Sequence, residues 1–69
     1  MQATILNILQ ENNGVRVMVD FEGFGQKGFI FPIETSSDTV RAAIEEQKLE
    51  YQKAIDTKQS LETLIGEVI

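Results

Sequence analysis

The sequence contains no cysteine, no histidine, no tryptophan and a single proline. Without cysteine there are no disulfides, no thiolate metal sites and no thiol nucleophile. Without histidine, the most frequent general base and the commonest metal ligand are both missing. No apolar run approaches the ~20 residues needed to span a bilayer. Met1–Thr4 lacks the basic region of a signal peptide. The chain is therefore expected to stay in the cytoplasm where it is made. Positive charge is scarce too: six Lys and Arg stand against eleven Asp and Glu, a net charge of −5. That balance argues against a nucleic-acid backbone as partner. The acids are spread along the chain, whereas mimics of nucleic acid carry denser acidic faces.

What remains is one small domain of 69 residues. A chain of this size buries a modest core, and such domains usually lean on a disulfide, a metal or a partner subunit. Thiolate and imidazole chemistry being absent, the remaining support is oligomerisation or an unusually well-packed fold. The first half reads as strands. Val15, Val17, Val19 and Phe21 alternate with Arg16, Met18, Asp20 and Glu22, the period of two that marks a strand. Thr4 to Gln10 precedes them, and Asn13-Gly14 between the two runs predicts a type I′ hairpin turn. That turn would set Glu11 opposite Arg16 as a cross-strand ion pair. It would place Leu6, Ile8, Val17, Val19 and Phe21 on one face and Ile5, Leu9 and Met18 on the other. A shift of two residues in register would preserve this partition. The second apolar face reads either as scattered exposed aliphatics or as a surface covered by a partner. A third strand is expected over Phe29 to Ile33, at a sheet edge because Pro32 cannot donate to a ladder.

Ser36 or Ser37 then caps a helix, with Asp38 at the positive end of its dipole. No glycine or proline follows until Gly66. Val40, Ile44, Gln47, Tyr51, Ala54, Lys58, Leu61, Ile65 and Val68 alternate in steps of four and three, a coiled-coil-like heptad seam. As one helix, Asp38 to Ile65 would run ~42 Å, beyond the ~26 Å that an eight-residue strand covers. Either the far end packs on another chain, or the helix breaks near Asp56–Ser60, where Asp56 and Gln59 offer a second capping box. The absence of glycine and proline favours the unbroken helix.

Chemical motifs are few. Gly23-Phe24-Gly25-Gln26-Lys27-Gly28 matches G-x-G-x-x-G, but a strand follows it where a dinucleotide site needs a helix. It reads as a glycine-rich hairpin loop, with phosphate binding by its amides and Lys27 as the alternative. Phe24, between two glycines, either tucks back on the sheet or anchors a contact. Glu45, Glu46 and Glu50 read as a solvated helix face, since carboxylate catalysis needs a concave, partly dry pocket. No catalytic residue, metal site or cofactor is expected.

The strand-turn-strand Asn13-Gly14-Val15-Arg16-Val17, the Gly28-Phe29-Ile30-Phe31-Pro32-Ile33 exit and the acidic helix Ala42-Ala43-Ile44-Glu45-Glu46-Gln47 resemble small proteins of tailed phages and prophages. The resemblance implies a viral source and a chain that works by binding, in the host cytoplasm or the virion. It transfers no site residue.

The expected fold is α+β, a three-stranded antiparallel β-meander over residues 1–34 followed by one long amphipathic C-terminal helix over 36–66. The expected function is a non-enzymatic, homo-oligomeric module that binds a host or virion protein. The alternatives are an anti-defence sponge holding a nucleotide between subunits, through the glycine-rich loop, Lys27 and Arg16 or Arg41, and a structural component of a tail or neck. The candidate oligomer interface is Tyr51, Ala54, Leu61, Ile65 and Val68. The candidate partner contacts are Phe24, Lys27, Ile5, Leu9 and Met18.

Overall fold

The computed structural model describes all 69 residues. Strands β1 (Ala3–Glu11), β2 (Gly14–Phe21) and β3 (Gly25–Pro32) form an antiparallel sheet in the order β1-β2-β3, and helix α1 (Ser37–Glu62) follows. This is the expected α+β meander and helix.

The first hairpin differs from expectation in its turn. Glu11 pairs with Gly14, so Asn12 and Asn13 form the turn, and neither has a positive φ. The mirror-image I′ geometry is therefore not used. Gly14 is needed for another reason: a Cβ built there would lie 2.2 Å from the Phe31 carbonyl oxygen. The glycine permits close approach of β2 to β3 instead of shaping the turn. From Asn7 to Glu11 the register is offset by two residues from the expected one, so Ile8 pairs with Val17 where an Asn13-Gly14 turn would set it against Val19. Glu11 and Arg16 still form their ion pair, diagonally instead of directly opposite.

A bulge interrupts β1 between Ile5 and Asn7. Beyond it Ile5 pairs with Val19 and Ala3 with Phe21, while Leu6 has no partner. The bulge moves Ile5 onto the face that α1 covers, away from Leu9 and Met18 with which it was grouped.

β3 begins four residues earlier than its apolar run suggests. Gln26, Lys27 and Gly28 pair with Asp20, Val19 and Met18, so most of the glycine-rich segment is ladder and not loop. The connection shrinks to Glu22-Gly23-Phe24, with φ of +84° at Gly23 and +86° at Gly25. Gly28 leaves space that Met18 fills, since a Cβ there would meet the Met18 sulfur at 3.1 Å.

Ser36 is the N-cap, its hydroxyl accepting from the Thr39 amide at 3.2 Å. Glu34, just before it, sits at φ +69°. A side chain in this region costs about 1–2 kcal/mol, partly offset because glycine is freer when unfolded. Glu34→Gly is therefore expected to raise stability by roughly 0.5–1 kcal/mol and Tm by a few degrees. A thermal melt in which the variant unfolds earlier than wild type would show that Glu34 makes a compensating contact.

α1 runs unbroken through Asp56–Ser60, where Gln52 donates to the Asp56 carboxylate at 3.0 Å. It stops at Glu62, short of the expected 66. Thr63–Gly66 are turns, with φ of +88° at Gly66.

The core is small. Val17, Val19, Phe21 and Ile44 are its only buried apolar side chains, with Ala3, Val15, Phe29, Phe31, Val40 and Tyr51 packed around them. Phe21 meets Tyr51 edge-on at 5.1 Å and Phe29 at 6.1 Å.

Candidate interaction surfaces

α1 starts where β3 ends and runs back towards the Glu22–Phe24 turn, where Tyr51 stacks on Phe24 with ring centroids 4.1 Å apart. The residues that approach the sheet include Val40, Ile44, Gln47, Tyr51 and Ile55. Ala54, a seam position of the heptad reading, is exposed while its neighbour Ile55 is half-buried. A straight helix follows a period of 3.6, which drifts from a seam of 3.5 within a few turns. Gln47, the polar member of the inner half, accepts a hydrogen bond from Lys27 Nζ at 2.6 Å. The same ammonium lies 5.6 Å from the Phe29 ring.

Twenty-six residues of helix are ~39 Å long, against ~26 Å for the eight residues of β3. The difference projects beyond the sheet. Every residue from 56 to 69 is exposed. The molecule measures 55 × 20 × 17 Å with a radius of gyration of 16.3 Å, where a compact chain of this length has roughly 11 Å. The projecting arm carries Leu61, Leu64, Ile65, Val68 and Ile69, with Ile65 81 % exposed. Ala54, Thr57, Lys58, Leu61, Glu62 and Ile65 line a shallow groove along it. Lys58 and Glu62 rim that groove 3.8 Å apart, too exposed for a strong pair.

Two further apolar surfaces are open. Beside α1, Ile5, Ile8, Val15, Val17 and Val40 line a trough over β1, together with Thr35, Ser37 and Arg41. On the opposite face of the sheet, Leu9 and Ile30 flank Arg16 in one row, and Met18 lies in the next. The Glu11 carboxylate accepts a hydrogen bond from Arg16 and, with its charge, holds the guanidinium above its ordinary pKa. An ion pair therefore interrupts the apolar surface of this face.

The candidate residues thus fall into three places. Tyr51 is engaged within the chain by Phe21 and Phe24, whereas Ala54, Leu61, Ile65 and Val68 lie on open surface. Phe24 tucks back on Tyr51 yet remains 41 % exposed, and Lys27 bonds Gln47. Ile5 joins the trough, and Leu9 and Met18 the outer face. Ile8 and Ile30, 61 % and 64 % exposed, belong to these surfaces and were missed as candidates. Ile30 could have been found from its place between Phe29 and Phe31, which a period of two sends to the opposite face.

No group of three or more acidic side chains gathers as a metal cluster. No helix is long and apolar enough to cross a membrane.

Neither protein-family models, curated proteins nor solved structures match this chain.

Proposed function

We propose that this chain is a homo-oligomeric interaction module that acts by binding another protein, without catalysis. The observation that carries the reading is the arm: the end of α1 leaves its own sheet, and it and the turns after it carry apolar side chains into solvent. Only four apolar side chains are buried within the chain, while Leu61, Leu64, Ile65, Val68 and Ile69 remain in water. Burying one such side chain fully is worth ~1.5–3 kcal/mol, so pairing two arms would add stabilisation that the small core lacks. The resemblance to small phage proteins extends this reading to a viral source and a host or virion protein as target. The nucleotide-sponge alternative receives less support, because its glycine-rich loop is mostly strand and its lysine is hydrogen-bonded to Gln47.

Leu61→Asp tests the arm. Leu61 is 58 % exposed in the single chain, so the fold should survive the change. Self-association should weaken by about tenfold or more, the effect of losing ~1.4 kcal/mol of apolar burial. Sedimentation would show a lower mass at equal concentration. An unchanged mass and melting point would remove the arm from the interface.

A further inference from the structure

We propose that β1 is a second contact between copies, pairing antiparallel with β1 of another chain to make a continuous six-stranded sheet. This rests on the reading of the chain as self-associating, and it places a contact that the arm does not supply.

The two edges of the sheet are unlike. β3 carries the devices that discourage strand addition: Pro32 at its end, Lys27, and glycines at 25 and 28. β1 has none of them across its nine residues, Ala-Thr-Ile-Leu-Asn-Ile-Leu-Gln-Glu. Its one protecting device is the bulge at Leu6, near one end, which leaves Asn7 to Glu11 as regular ladder, and its one charge, Glu11, is at the other end and paired with Arg16. Uncharged runs of high β-propensity without proline or glycine are the segments that add strands.

The occupant is a second copy, as the self-association reading requires, and the charge pattern leaves this side open to it. The chain carries −5, and copies repel wherever its acids face each other. Glu45, Glu46 and Glu50 are exposed on α1, whereas the β1 edge and its trough bring one acid and one base: Glu11, paired with Arg16, and Arg41, which meets Asp38 at 3.1 Å in solvent. β1 thus brings fewer facing acids to a second copy than the exposed side of α1 does. The trough supports the same geometry. It is open because the residues of α1 pack over Val17, Val19 and Phe21 and leave Ile5 and Ile8 uncovered. A two-fold axis normal to the sheet between two β1 strands sets two such troughs side by side. Ile5 and Ile8 of both copies then floor one apolar channel, with a helix on either side. The same two-fold sends the two arms to opposite ends, free for other contacts.

The absence of native cysteine makes the test direct. Ile5→Cys, Asn7→Cys, Ile8→Cys and Leu9→Cys are each oxidised at micromolar concentration, with Glu46→Cys on the acidic face as the collision control. At least one of the four β1 variants should cross-link into a covalent dimer well beyond the control. Ile8→Lys, at a side chain 61 % exposed in the single chain, should keep the circular dichroism of wild type and lower association by about tenfold or more. If wild type is oligomeric and no β1 cysteine cross-links, the proposal falls while self-association stands. If wild type is monomeric, both fall, and the open β1 edge is left for a foreign strand.

Discussion

Replacing Phe21 by alanine should leave the isolated chain largely unfolded. Phe21 is fully buried and sits where β2, β3 and α1 meet, in contact with Phe29 and Tyr51. Truncating a buried phenylalanine costs about 3–5 kcal/mol. A domain of this length holds roughly 3–10 kcal/mol in total, from ~0.05–0.15 kcal/mol per residue. With only three other buried apolar side chains, little is available to refill the cavity. Tyr51 is the one tyrosine in a chain without tryptophan. Its emission therefore reports unfolding at the helix-sheet contact, and circular dichroism reports it for the whole chain. A urea midpoint that implies a loss below ~1.5 kcal/mol would mean that Phe21 is not the keystone of this packing.

Gly14→Ala should be nearly as damaging, for a different reason. The methyl group would sit 2.2 Å from the Phe31 carbonyl oxygen, a backbone atom that cannot swing aside. β2 and β3 must separate locally, and overpacking of this kind costs about 1–3 kcal/mol. The paired variant Gly14→Asn distinguishes the two roles a glycine can play here. Asparagine tolerates left-handed backbone, so it would rescue a turn. It cannot rescue close approach of two strands. Gly14→Asn is expected to lose at least as much as Gly14→Ala, and recovery towards wild type would restore a turn-forming role.

Strand order, helix start and helix continuity were legible because each rests on a strong local signal. The period of two from Val15 to Phe21 had one reading, and Ser36 caps where a serine followed by Asp38 predicts. Register was not legible. Gly14 carries a familiar turn signal but is required by tertiary contact with Phe31, which no local pattern records. The bulge was hidden because Ile5, Leu6, Ile8 and Leu9 are apolar at both parities, so either register of β1 presents an aliphatic face. Gly25 and Gly28 concealed the start of β3, since glycine in a strand looks like loop until its partner across the ladder is known. On the candidate surfaces, the projection of the arm followed from length alone. Tyr51 could not be separated from it without Phe24 folding back to stack on the ring. The heptad template also chose Ala54 over Ile55, because a seam of 3.5 and a face of 3.6 diverge only far from the cap.

The central claim is that this chain completes its packing with further copies of itself. The most direct test is the absolute mass of the wild-type protein by light scattering after gel filtration, across about a hundredfold range of concentration, since assembly is set by mass action. The account predicts a dimer or larger species throughout. A 7.7 kDa monomer at every concentration would contradict it.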